Sequence, residues 1–323
     1  MMRFTDIQGH ENACAFLRGA VTHGRLAHAL VFAGPEGIGK RTVALALAAW
    51  LHCTAGGDDA CGECVACRQV AAGSHPDVLV VTIPAGKKEI GVDRAREVKR
   101  FTQMRPVSGR SKLALVDDAH MLTVAAQNAL LKTLEEPPAS SLLILVTANP
   151  DALLPTVRSR CQRVQFAPLA AEAVAVLLST QHGWESDVAR TVAVTADGSV
   201  GRALALGRSF GNTGRTELAA ALATLQGARY VRLAQMAHDL NHPDSETRVK
   251  LEGLLYRYRE DVLRLITGGE QPTAGMSGPV PSGGVRSALQ RVDAVLEALT
   301  ALQRGNANRQ LLLESLLLRL ADA

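Results

Sequence analysis

Leu26-Ala27-His28-Ala29-Leu30-Val31-Phe32-Ala33-Gly34-Pro35-Glu36-Gly37-Ile38-Gly39-Lys40-Arg41-Thr42 is the stretch that decides the fold. Leu26 to Phe32 is a short apolar run of strand character, and Thr42 to His52 is Ala/Leu-rich and helical in character. A glycine-rich turn between such elements points backbone N–H groups and a helix N-terminus at a phosphate. Gly34, Gly37, Gly39 and Lys40 fit the phosphate-loop pattern up to its last position. There, Arg41 replaces the Ser or Thr whose hydroxyl would hold magnesium. Thr42 follows, but one residue along a helix is a rotation of about 100°, so its hydroxyl is not expected to substitute. A plain glycine turn with an incidental lysine is the alternative, and the flanking strand and helix speak against it.

Outward from the loop, strand-like runs alternate with helix-like ones. Asp77 to Ile83, Leu113 to Val116, Leu142 to Thr147 and Arg163 to Phe166 are the strands; Val92 to Gln103 and Thr123 to Leu134 are the helices. The alternation predicts a doubly wound parallel sheet covered on both faces, with ligands at the carboxyl ends of its strands. Asp117 and Asp118 close the third strand, where a hydrolytic site has Asp-Glu: the aspartate orients magnesium and the glutamate polarises water. Asp118 is one methylene short of that glutamate, and general-base geometry tolerates little misplacement. Two acids at a strand end could also merely cap the next helix.

After Pro168 the pattern is helical only. Leu169 to Thr180, Asp187 to Ala196 and Val200 to Leu206 predict a small three-helix lid, Gly207 to Gly214 a linker, and Arg215 to Ala323 a helical domain interrupted by a Gly/Pro/Ser-rich loop over Gly268 to Gly284. The expected division is 1–167 for the sheet domain, 168–208 for the lid and 209–323 for the terminal helices. With 323 residues, 47% hydrophobic and 20% charged, the chain is globular and large enough for several cores. Aromatics at 3% favour packed helices over a β-sandwich. The net charge of +4 neither requires nor excludes a nucleic-acid partner.

Phe4 to Asn12 is polar and mixed, so no secretory signal is expected, and no apolar run reaches the ~20 residues of a membrane span. A cytosolic, reducing location with no membrane partner follows. Clustered thiols there point to metal rather than disulfides. Cys53, Cys61, Cys64 and Cys67 have the spacing of a closed tetrahedral zinc site, structural rather than catalytic, within a module over 53–67. Four unrelated buried cysteines are the alternative, which the clustering disfavours, since Cys14 and Cys161 are the only others.

Together these residues resemble the bacterial clamp-loader family of DNA polymerase III. Arg25 to Phe32 resembles its lead-in to the phosphate loop, and the cysteines resemble its inserted zinc module. Asn128-Ala129-Leu130-Leu131-Lys132-Thr133-Leu134-Glu135-Glu136-Pro137-Pro138 and Ser159-Arg160-Cys161 match two further motifs. The resemblance implies an AAA+ (RecA-like) sheet domain, a helical lid and an all-α collar. It implies Arg160 as an arginine finger acting in trans, and gamma/tau and delta subunits as neighbours. Through them it implies the sliding clamp and primer-template DNA. One subunit type of the family hydrolyses ATP through an intact Lys-Thr loop and Asp-Glu pair; another is shorter and impaired there. Arg41, Asp118, the chain length and Ser74-His75-Pro76-Asp77 all point to the impaired type, so weak or absent ATP or ADP binding is expected. A gamma/tau-like active ATPase is the alternative. A zinc-dependent DNA-binding module is another, disfavoured because Arg68 is the only basic residue beside the cysteines. Active relatives carry a lid arginine where Gly201 stands, which leaves Arg202 a doubtful nucleotide contact. His120 reads as a helix-start residue. Lys112, Lys87 and Lys88 read as a solvated face, with DNA contact an option for the last two.

Overall fold

The computed structural model describes residues 3–108, 110–210, 235–238, 240–241, 244–267, 284–304 and 308–322. They fall into two compact units: Met1–Leu177 with Asp197–Gly201, and Leu178–Ala196 with Arg202–Ala323.

The first unit is built on five parallel strands: β1 (Ala29–Ala33), β2 (Val78–Val81), β3 (Lys112–Val116), β4 (Ser141–Thr147) and β5 (Gln162–Gln165), in the order β2-β3-β4-β1-β5. Side chains alternate along a strand, so a strand buried on both faces supplies two cores. Leu30 and Phe32 of β1, Leu113 and Leu115 of β3, and Ile144 and Val146 of β4 enter one core. It is filled by α1 (Glu11–Thr22), α2 (Lys40–His52) and the cysteine module with α3 (Val65–Ala71). Val31, Ala114, Val116, Leu143 and Leu145 enter the other, under α4 (Val92–Gln103), α5 (Val124–Glu135) and α6 (Pro155–Arg158). The expected doubly wound parallel sheet is therefore present. β1 begins at Ala29 rather than Leu26, because pairing with β4 starts where Leu143 N donates to His28 O at 2.9 Å. Helix α1 was not expected: only Ala13, Cys14 and Leu17 of its twelve residues are buried, too short a stripe to read.

The helices α7 (Ala171–His182), α8 (Ser186–Thr195) and α9 (Val200–Phe210) stand where the lid was expected. Gly207 to Phe210 continue α9 instead of opening a linker. In the second unit, α10 (Asp244–Thr267), α11 (Gly284–Arg304) and α12 (Arg309–Asp322) share a core of Leu251, Leu254, Tyr258, Val295, Leu313 and Leu317. Of the expected terminal loop, only Gly284 is described, and it opens α11; residues 211–214 of the linker and 268–283 of that loop lie outside the described residues. Among the described residues, no helix is long and apolar enough to cross a membrane.

Lys112 is not on a solvated face. It is 3% exposed, and its Nζ lies 2.8 Å from Asp77 Oδ1. A lysine at the start of a strand can face inward when a carboxylate awaits it, and Asp77 is fully buried. Burial works to raise the Asp77 pKa, but Lys112, the Ser108 hydroxyl and the N–H groups of Val107 and Ser108 outweigh it and hold the carboxyl well below its usual range. Its contribution to stability is therefore complete above about pH 4 and is lost as acid lowers pH through the depressed folded value. Asp77→Asn strands a buried ammonium, and is expected to cost about 3–5 kcal/mol in urea unfolding at neutral pH. The exposed Asp93, 3.4 Å from Arg96, is the control, with Asp93→Asn costing less than about 1 kcal/mol. An Asp77→Asn protein as stable as the parent would show the buried pair to be dispensable.

Candidate functional site

The loop Gly34 to Gly39 joins β1, which lies between β4 and β5, to α2 at the carboxyl edge of the sheet. Gly34 is there because nothing larger fits: a Cβ would lie 2.4 Å from Phe166 O. The buried Lys40 folds back on the loop, donating to Gly34 O at 2.6 Å and to Pro35 O. Burial lowers its pKa, opposed by Asp117, Asp118 and Glu36. Arg41 Nη1 lies 3.1 Å from Asp117 Oδ2, and Thr42 is exposed. A guanidinium thus lies against the first carboxylate at the end of β3. Asp118 sits in the left-handed region at φ 49°, and burial and then Asp117 raise its pKa. Its N–H donates to Asp117 Oδ1 at 3.1 Å.

The loop also meets the start of α9. Gly201 N donates to Gly37 O at 2.8 Å, and a Cβ on Gly201 would lie 2.9 Å from Gly37 Cα. No side chain fits at that position without displacing the loop. Arg202 Nε instead lies 3.4 Å from Glu252 Oε2. His120 belongs to a single 3-10 turn, Ala119–Met121, while Lys87 and Lys88 are exposed.

The four cysteines converge. The Sγ atoms of Cys53, Cys61, Cys64 and Cys67 all lie within 4.8 Å of one another. Backbone N–H groups point at the sulfurs: Cys61 N to Cys53 at 3.4 Å, Cys64 N to Cys61 at 3.3 Å and Cys67 N to Cys64 at 3.4 Å. Such donors stabilise thiolates, the form that binds metal. For Cys64 burial is the largest single influence and acts upward. The N–H groups of Cys67 and Thr54 and the Thr54 hydroxyl overcome it and bring the thiol down to about 5. The donor set fits a divalent ion of the zinc class with no open position. Cys14 and Cys161 lie outside it, each pushed up to about 11 by burial.

The module's links to its surroundings carried no sequence signal. Asp59, in the loop between Cys53 and Cys61, accepts from the N–H groups of Phe4 and Thr5 at 3.0 Å and from Arg18 at 3.3 Å. Behind Cys53, the buried rings of His52 and His75 lie 4.5 Å apart.

Arg160 follows the short helix α6. Its Nη2 lies 2.8 Å from Glu135 Oε1, and its Nη1 donates to Thr156 O at 3.0 Å. The side chain is 37% exposed.

A parallel sheet in this order, with a glycine loop after β1 and an acidic end on β3, is a phosphate-loop nucleotide-binding fold of the AAA+ class. Residues 9–170 match the family model described as DNA polymerase III, delta subunit. The DNA polymerase III subunit delta' of Escherichia coli is 34% identical over 308 residues, covering 92% of this chain and 90% of that protein. The chain belongs to this clamp-loader subunit family. The delta' subunit of Pseudomonas aeruginosa is 43% identical over 153 residues, 46% of each chain. The tau subunit of Bacillus subtilis is 33% identical over 254 residues, 75% of this chain but 45% of that longer protein.

Proposed function

We propose that this chain is a delta'-type subunit of a bacterial DNA polymerase III clamp loader that no longer turns over ATP and serves a neighbour's ATP site through Arg160. The observation that carries the first part is the Arg41–Asp117 ion pair at 3.1 Å. A cation fixed on that carboxylate opposes magnesium by charge and by occupancy. Arg160 supports the second part: it stands half-exposed beyond the sheet, as a group meant for another subunit's phosphates would. Gamma/tau and delta subunits are the partners, and the sliding clamp and primer-template DNA are engaged through the complex. In this reading 1–167 is the AAA+ domain, 168–208 the lid and 209–323 the collar that joins the subunits, in the cytoplasm. Cys53, Cys61, Cys64 and Cys67 hold a structural zinc, which closes the module and takes no part in chemistry.

The similarity to the Bacillus subtilis tau subunit favours a second reading, an active gamma/tau-like ATPase. One measurement separates them. The isolated chain is expected to hydrolyse ATP no faster than its Lys40→Ala variant. Steady-state turnover like that of a gamma-type subunit, abolished by Lys40→Ala, would reverse the assignment.

A further inference from the structure

The segment Leu134-Glu135-Glu136-Pro137-Pro138 has no part in the reading above, yet its first acid lies against Arg160. Pro137 and Pro138 end α5, so Glu135 falls in its last turn. A carboxylate there faces the negative end of the helix dipole, an unfavourable place unless a cation answers it. Arg160 Nη2 answers it at 2.8 Å. The other end of the guanidinium donates to Thr156 O at 3.0 Å and to Ser159 Oγ at 3.4 Å. An arginine has five N–H donors in a rigid plane, so two anchored ends fix where the remaining ones point.

The platform is itself braced. Gln127, 2% exposed, accepts from Leu154 N at 2.7 Å and donates to Leu122 O and Ala152 O, tying the start of α5 to the segment that begins α6. At the other end of α5, His28 lies 3.2 Å from Leu134 O, tying it to the strand that leads into the phosphate loop. Helix α5 therefore holds α6 near its first turn through Gln127 and the arginine beyond it through Glu135.

We propose that Glu135 is a positioning residue for Arg160, holding the guanidinium in the orientation in which it enters the neighbouring subunit's ATP site. The pair is too exposed to matter much for stability, with Glu135 at 49%, so its worth lies in aim. This rests on the finger reading of Arg160, and the test separates the two. Loader reconstituted with gamma/tau and delta is assayed for DNA-stimulated ATPase, kcat and KM separately, with Glu135→Ala, Glu135→Gln, Arg160→Ala and the Glu135→Ala/Arg160→Ala double variant. Melting profiles of each variant subunit serve as the check on folding. Glu135→Ala is expected to reproduce at least half of the kcat loss caused by Arg160→Ala, with KM for ATP unchanged. Glu135→Gln, which keeps an acceptor in place, recovers most of that loss. The double variant falls no lower than Arg160→Ala alone, since both act through one group. A wild-type Glu135→Ala loader, a Glu135→Gln loader no better than it, or losses that add in the double variant overturn the positioning role while leaving the finger intact. A wild-type Arg160→Ala loader removes the finger reading and the role of Glu135 with it.

Discussion

Arg160→Ala is expected to collapse ATP turnover at one neighbouring gamma/tau site while the subunit still folds and still assembles. Arginine fingers change turnover by roughly 10³–10⁵ at the site they enter, because a guanidinium neutralises charge that develops only in the transition state. Total turnover of the loader then falls partly if its sites fire independently, and nearly completely if firing is concerted. Folding is spared because the side chain is 37% exposed and its pair with Glu135 is a surface pair worth about 0–1 kcal/mol. Arg158 is the control. It is two residues away, equally near the surface, and pairs with Asp151 at 2.5 Å. Arg158→Ala is expected to leave DNA- and clamp-stimulated ATPase unchanged. An assembled Arg160→Ala loader that places clamps as well as the parent would reduce Arg160 to a surface residue.

The second large effect is expected from the cysteines. Wild-type protein should carry about one zinc per chain by elemental analysis, and Cys64→Ser/Cys67→Ser should carry none. Metal loss should then reach well beyond the module. Cys53 and Cys67 are buried in the core beneath α2, and the loop between Cys53 and Cys61 holds the amino-terminal segment through Asp59. Structural zinc sites contribute about 10–16 kcal/mol in small peptides, against about 5–15 kcal/mol for the whole stability of a domain. A strongly lowered melting temperature of the sheet unit is therefore expected in the double variant and after chelation. Trp50 provides a local signal: its Nε1 donates to Gly57 O at 2.9 Å inside the same loop, and its ring packs edge-on to Phe4. Its fluorescence should change with metal removal before the rest of the unit unfolds. A metal-free native protein of unchanged melting temperature would remove zinc from the account.

Much of this was legible in the residues alone, and for a common reason. The strand runs, the glycine turn before Lys40, the cysteine spacing and the extent of α5 are local patterns, each fixed by neighbours a few positions apart. They were sufficient for a doubly wound sheet with a glycine turn after its first strand, and for four cysteines that converge. Helix α9 runs past Gly207 into the expected linker because a glycine costs a helix only about 1 kcal/mol. Lys112 leaves the expected solvated face because its partner Asp77 belongs to another strand's approach.

What the residues by themselves determined was therefore the set of elements and the chemical groups they carry. What only the tertiary structure decided was which groups meet. Asp117 comes to Arg41 and Glu135 to Arg160 because the sheet order β2-β3-β4-β1-β5 and the packing of α5 on α6 bring them together. Strand order depends on how whole faces bury against one another. No local pattern records that, so the contacts of Arg41 with Asp117 and of Arg160 with Glu135 were visible only in the folded chain.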